Sequence, residues 1–445
     1  MKVLMVSLGC DKNRVDSEMM MGTLAASGYD ITENEEEADV IIVNTCCFIG
    51  DAKKESINAI FEMAQLKETG SLKTLIVAGC LGVRYRDEIL EQIPEIDAIV
   101  GITSEDKIAD VLEETLKGLR VDEHTDISSN PVWKHDRIVN TGSVSSYLKI
   151  AEGCDKNCTY CVIPKVRGHY RSYPMEDLVE QARKLVQNGV RELILVAQET
   201  TLYGTDLYGE KSLHKLLEAL CRIEDLHWIR ILYAYPEEIY PEMLEVMAKE
   251  PKICHYLDMP IQHASDHILK KMNRRTDRQD LIRIVNEVRS TIPDVVLRTT
   301  LLTGFPGETE EDVDDLQSFI EEMKFDRLGV FAYSREEDTP AAKFKDQVPQ
   351  RIKNKRRDRL MLTQQKISAE NGRKRVGSLM ETIVEGYLPE EDVYVGRSYG
   401  DAPDVDGYIF FESEREWMSG DFVMIRITDS REYDLQGVPE DEFTE

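Results

Sequence analysis

Four short runs in the first 105 residues, "KVLMVSLGC", "DVIIVNTCC", "TLIVAGCL" and "DAIVGI", are almost continuous in Val, Ile and Leu, and a helix-compatible stretch follows each. A strand with one wet face alternates apolar and polar residues, whereas an unbroken apolar run needs cover on both faces. The pattern therefore predicts an α/β unit with a small doubly wound parallel sheet. All strand C-termini of such a sheet lie along one edge, where ligands bind. Cysteines stand at that position in the first three runs: Cys10, then Cys46 with Cys47, then Cys80. One buried cysteine is commonly a small filler. Three at the same topological position predict converging thiols, and so a site.

Residues 1–120 make up this first domain, and 121–140, polar and broken by Pro131 with Gly142 just beyond, read as a linker. From 141 to 350 six more strand-like runs, "SYLKIAEG", "ELILVAQET", "WIRILYAY", "YLDMPIQ", "VVLRTTLLTGF" and "RLGVFAYS", alternate with amphipathic helical stretches. They predict an open, partial (β/α)6 barrel with its active site at the strand C-terminal ends. Residues 351–376 read as a basic helical connector with a solvated cationic face. From 377 to 445 short alternating runs between Gly, Pro and Asp predict a small antiparallel β-barrel.

The first strand of the predicted barrel leads into "AEGCDKNCTYCVIP", where Cys154, Cys158 and Cys161 crowd into eight positions. The chain has nine cysteines, an odd and clustered set that fits reduced thiols in a cytoplasm better than a disulfide framework. The N-terminal apolar run is too short for a signal-peptide core, and no run approaches the length that spans a bilayer. Three thiolates do not complete a four-sulfur zinc site, and the nearest following histidine, His169, lies eight residues on. Iron–sulfur clusters are held by thiolates, and three ligands on a four-iron cluster leave one iron open for other chemistry.

CxxxCxxC with Tyr160 before its last cysteine, after the first strand of a partial barrel, resembles the radical S-adenosylmethionine (SAM) superfamily. With "SLGCDKNRVDSE", "NTCCFIGDAKKES" and "VAGCL" before it and a TRAM-like barrel behind, the whole chain is similar to the methylthiotransferases. The resemblance implies a transferase with two 4Fe-4S clusters. One, on Cys154, Cys158 and Cys161, binds SAM through its open iron and yields a 5'-deoxyadenosyl radical. The other, on Cys10, Cys46 and Cys80, carries or donates sulfur. Cys47 departs from the family pattern, which has a small residue there; it is a spare thiol or an alternative ligand, and Cys46, aligned with the "NTC" pattern, is assigned in preference to it. Net, a C–H bond becomes C–S–CH3. A reductant such as a flavodoxin or ferredoxin is implied as partner.

For the SAM pocket the resemblance points to Gln198, Glu199 and Thr200 in "AQETTLYG", Gln262 beside His263 in "PIQHAS", and Gly304 to Glu308 in "LLTGFPGET". The family divides between enzymes acting on transfer-RNA adenosines and one acting on the β-carbon of an aspartate in small ribosomal subunit protein twelve. Charge separates them. The chain carries a net charge of -29, and residues 377–445 hold nineteen Asp and Glu against four Lys and Arg. Such a tail repels phosphate and suits a basic ribosomal protein. "MPIQHAS" and "AQETTLYG" also resemble the ribosomal-protein branch, so that substrate is expected, with transfer RNA as the alternative. A two-cluster electron carrier without substrate chemistry is the alternative of another class.

Overall fold

The computed structural model describes residues 1–132, 135–139 and 143–443. Strands β1 (Lys2–Ser7), β2 (Asp30–Ile31), β3 (Val40–Thr45), β4 (Thr74–Gly79), β5 (Ala98–Val100) and β6 (Val121–Glu123) form one parallel sheet in the order β2-β1-β3-β4-β5-β6. Every residue of β3 and β4 is buried, as their unbroken apolar runs require. Ile41, Val43, Leu75 and Val77 pack on Ile60 and Met63 of the helix Gly50–Thr69. Val40, Ile42, Ile76 and Ala78 pack on Met20 and Leu24 of the helix Asp11–Ala26 on the other face. The sheet is doubly wound.

Two of these strands lie outside the predicted runs. β6 falls in the segment read as linker, so the first domain extends to Glu123 and the 121–140 boundary is corrected. Val121 pairs with Ala98 at the sheet edge, where a three-residue, partly exposed strand needs no apolar run. The rest of the segment is not free either: the Ile138 amide donates to the Glu18 carbonyl at 3.0 Å, and Arg137 is buried beside Glu18. Gly142, the second breaker, lies outside the described residues.

β7 (Ser145–Lys149) opens the second sheet, and a two-strand ribbon of β8 (Ala151–Glu152) and β9 (Arg171–Ser172) brackets the cysteine trio. β10 (Glu192–Val196), β11 (Trp228–Ile231), β12 (Ile253–Asp258), β13 (Val296–Thr303) and β14 (Arg327–Ala332) complete six parallel strands in sequence order from β7, an open (β/α)6 sheet as expected. Leu193 and Leu195 face the helices, while Ile194 and Val196 face the opposite way.

That opposite face meets the third unit. β15 (Leu379–Leu388), β16 (Val393–Ser398), β17 (Ile409–Phe411), β18 (Phe422–Ser430) and β19 (Leu435–Pro439) close a barrel in the order β15-β16-β17-β19-β18. Ile383 and Ala402 of this unit pack with Ile194, Val196, Trp228 and Tyr256. Below them Glu192 accepts from Arg230 at 2.8 Å and from Arg397 at 2.7 Å, all three fully buried. The connector is the helix Gln350–Arg375, but it is not merely solvated. Leu360 and Ile367 join the main core, and Arg356 and Arg359 pair with Glu308, Glu310 and Asp314.

Candidate active site

Cys10, Cys46 and Cys80 follow β1, β3 and β4, which are adjacent and parallel, so the three thiols meet at one sheet edge. Asn13 ties the edge together: its amide donates to the Leu8 carbonyl at 3.0 Å and the Thr45 carbonyl at 2.9 Å. The Cys80 sulfur lies 4.0 Å from the Asn13 side-chain oxygen. Gly9, at φ +91°, lies so close to Cys46 that a Cβ would meet its Cβ at 2.6 Å; only glycine lets the two loops approach. The amide of Cys46 donates to Ser56 at 2.9 Å. Cys47 points elsewhere, its thiol 3.2 Å from the Cys80 carbonyl and its own carbonyl accepting from Arg84.

The second trio sits in the loop after β8. Its amides hold it: Cys161 donates to the Cys158 carbonyl at 3.0 Å, and Ile163 donates to the Cys161 sulfur at 3.5 Å. The Tyr235 hydroxyl and an Arg274 guanidinium nitrogen each lie 3.9 Å from the Cys158 sulfur. All nine cysteines are free thiols. Burial pushes Cys46, Cys80 and Cys161 up and Cys154 to about 12, so a metal centre in contact must hold them as thiolates. Among the described residues no three His, Cys, Asp or Glu side chains close tightly enough on one point for a single metal ion.

The structure separates the expected SAM-pocket residues into two groups. At the end of β10, Gln198 donates to Glu152 at 3.0 Å and leaves its side-chain oxygen buried without a partner. Glu199, wholly buried, has one oxygen on Thr201 and the other unpartnered; burial, against the Thr201 hydrogen bonds, pushes its carboxyl up to about 8. Two buried acceptors lacking donors fit an ammonium group. Thr200 instead anchors backbone, its hydroxyl donating to the Leu232 carbonyl at 2.8 Å. Gln262, at φ +70°, serves by its backbone, which bonds Thr300 and Leu302. Gly304 and Glu308 belong to a buried knot against the connector helix: Glu308 accepts from the Gly304 amide at 2.6 Å, Arg356 at 2.7 Å and His263 at 3.2 Å. A Cβ on Gly304 would meet Lys353 at 2.3 Å.

Between the trios lies machinery that no sequence motif announced. Arg167 and Lys149, both buried, each contact Glu152 at 2.8 Å and also Asp16. Glu105 lies beside them with both oxygens unpartnered, and burial, reinforced by Asp16, raises its carboxyl well above the usual range. Kept neutral, it leaves two cations balanced by two carboxylates. The signal for this network was available in principle: "DKNRVDSE" opens a helix whose buried residues include Lys12, Asn13, Asp16 and Glu18. Nearby, the Lys12 ammonium sits 3.4 Å over the Tyr233 ring and 2.9 Å from Asp11, and the Tyr233 hydroxyl donates to Asp11 at 3.2 Å. Tyr233, held at φ +61°, accepts from the Thr200 amide at 3.1 Å through its carbonyl and donates to Asp258 at 3.0 Å. One residue, through its backbone and its ring, thus spans from the Gln198–Thr200 segment to the helix that follows Cys10.

Comparison with known proteins agrees with this architecture. Residues 2–101 match the uncharacterized protein family UPF0004, 148–320 the radical SAM superfamily, and 376–439 the TRAM domain. Among solved structures, the radical S-adenosylmethionine methyltransferase TsrM from Kitasatospora setae superposes with a TM-score of 0.56 over 85% of this chain and 78% of its own, at 13% identity. That likeness concerns the fold. The ribosomal protein uS12 methylthiotransferase RimO of Lachnoclostridium phytofermentans is 55% identical, covering 99% of this chain and 100% of the relative. Its counterpart in Clostridioides difficile is 50% identical over 98% of both chains. The chain belongs to the RimO family of ribosomal protein uS12 methylthiotransferases.

Proposed function

We infer that the chain is a radical SAM methylthiotransferase that converts a C–H bond on the β-carbon of an aspartate of ribosomal protein uS12 into C–S–CH3. The observation that carries this reading is a pair of cysteine trios, one at the strand ends of each parallel sheet, with the Lys12–Tyr233 contact joining the loop after Cys10 to the strand ends of the second sheet. Cys10, Cys46 and Cys80 would hold one 4Fe-4S cluster, and Cys154, Cys158 and Cys161 the other. When bound, the clusters and SAM supply the sulfur, the methyl group and the hydrogen-abstracting radical.

The protein's own share is placement. Gln198 and Glu199 offer their unpartnered oxygens to the SAM amino group. Arg274, without a carboxylate partner among the described residues, sets its charge against the Cys158 thiolate. Asn13 and Arg167 lock the first domain to the second, fixing the distance over which sulfur must reach substrate. A flavodoxin or ferredoxin is the expected reductant. No helix among the described residues is long and apolar enough to cross a membrane, and a cytoplasmic setting suits the ribosomal substrate. The acidic last barrel and the named relatives favour uS12 over transfer RNA. The unpartnered acceptors on Gln198 and Glu199 argue against a bare electron carrier. The deciding experiment is mass spectrometry of uS12 and of bulk transfer RNA from cells with and without the gene. A methylthio mass gain on uS12 that vanishes with the gene supports the reading; a gain confined to transfer RNA overturns it.

A further inference from the structure

The buried cations around the two trios are almost all satisfied. Lys149 and Arg167 each meet Asp16 and Glu152; Lys156 meets Glu237 and Glu238; Arg298 meets Asp258 and Asp406. Arg274 directs one nitrogen at the Cys158 sulfur and another at the Pro260 carbonyl, which it reaches at 2.8 Å, while its buried Nε keeps no partner among the described residues and faces the Tyr235 ring side of the trio rather than the first domain. Lys12 also keeps capacity, and it lies on the first domain's side: among the described residues its ammonium has one carboxylate neighbour, Asp11 at 2.9 Å, and that carboxylate is shared with the Tyr233 hydroxyl. A second face of the ammonium lies against the Tyr233 ring. An ammonium has three donors, so capacity remains, and the side chain keeps 8% of its surface open.

Its position matters as much as its valence. Lys12 is two residues from Cys10, and Tyr233 is two residues from Tyr235, whose hydroxyl approaches Cys158. A group bound at the Lys12 ammonium therefore lies where the two trios face each other. Asp11 already shows what chemistry that ammonium accepts: a side-chain carboxylate on a short stem.

We propose that Lys12 is the specificity-determining residue that takes the substrate's side-chain carboxylate, with Asp11 holding the ammonium in place and the Tyr233 ring setting its height. This rests on the reading that the target is an aspartate. Its consequence is discrimination: the site should reject an asparagine in the same position. The amide offers a weaker acceptor and no charge, and loss of one charge-assisted hydrogen bond corresponds to about a 10- to 100-fold change in affinity.

The test measures the dissociation constant of reconstituted enzyme for uS12 and for uS12 carrying asparagine at the modified position. Wild type should prefer the aspartate form by about 10- to 100-fold. Lys12→Gln should bring the ratio near one, and Lys12→Arg should keep most of it. A role in folding alone would weaken both forms equally and leave the ratio intact, which overturns the proposal, as does a wild-type ratio of one. Should Lys12→Gln lose its iron, Asp11→Asn decides: freeing the ammonium from its internal partner should hold or raise the ratio, and a fall sinks the proposal. If wild type adds no methylthio group to any uS12 aspartate, the functional reading fails first, which the mass spectrum shows without any variant.

Discussion

Arg167 donates to the side-chain oxygen of Asn13, so a residue six positions past the second cysteine trio closes on a residue three positions past the first cysteine of the other. The same guanidinium holds Glu152, which in turn accepts from Gln198. One buried cation thus connects both thiol sites and the SAM-pocket segment.

Removing that cation should be expensive. Arg167→Met leaves Glu152 and Asp16 with Lys149 as their one buried cation among the described residues, and breaking one side of a buried pair typically costs about 3 to 5 kcal/mol. Chemical denaturation of the variant should show a loss of that size. Arg167→Lys, which keeps charge but not the fork, should recover only part of it.

The two trios should separate by substitution. With Cys154, Cys158 and Cys161 changed to Ala, about half of the reconstituted iron should remain and reductive SAM cleavage should cease. With Cys10, Cys46 and Cys80 changed instead, 5'-deoxyadenosine should still form but no methylthio product. Cys47→Ala should keep the iron of both sites, because its thiol already faces the Cys80 carbonyl. Iron analysis and product chromatography check all three.

Acid should loosen the junction between the SAM core and the last barrel. Burial disfavours ionised Glu192, but Arg397 and Arg230 override it and hold its carboxyl at about 2, below the ordinary 4.5. A depressed carboxyl stabilises the fold above its unfolded value and loses that contribution as pH falls through the folded one. The window is therefore between pH 4.5 and about 2, and the amount about 3 kcal/mol. Glu192→Gln should flatten the dependence of unfolding free energy on pH in this window and lower stability at neutral pH, where both arginines lose their carboxylate.

The exposed Glu412, Glu414 and Glu416 lie on the barrel whose net charge is -15. Of its four cations, Arg397, Arg415 and Arg426 already pair with acids, so the excess is not neutralised internally. Docking of basic uS12 should weaken as salt shortens the Debye length from about 10 Å at 0.1 M to about 3 Å at 1 M. Reversing the three glutamates to Lys should lower kcat/KM more at low salt than at high salt. Equal binding of the reversed variant at every salt concentration would remove this surface from the docking site.

Much of the fold could be read from local chemistry. Unbroken runs such as Val40–Thr45 announce a strand covered on both faces, and cysteines at successive strand ends announce a shared edge. β2 and β6 escaped because a short edge strand has no core of its own to encode. At the candidate site, Cys154, Cys158 and Cys161 stand out by their spacing and Cys10, Cys46 and Cys80 by their strand-end positions. Lys12, Asn13, Glu152 and Arg167 do not, since a charged residue in a helix or after a turn reads as solvated until the packing of a second domain desolvates it. Nor does the glycine-rich turn of Gly304 and Glu308 announce that it packs on Lys353 and Arg356 of the connector helix.

Ile383 and Ala402 of the last barrel complete the sheet's second apolar face, and Arg397 is needed to neutralise Glu192 inside the core. Grafting a foreign barrel to redirect such an enzyme toward a new target is therefore first a packing problem. A donor module lacking an isoleucine, an alanine and an arginine at those three places would strip the catalytic unit of its floor before it altered what the chimera recognises.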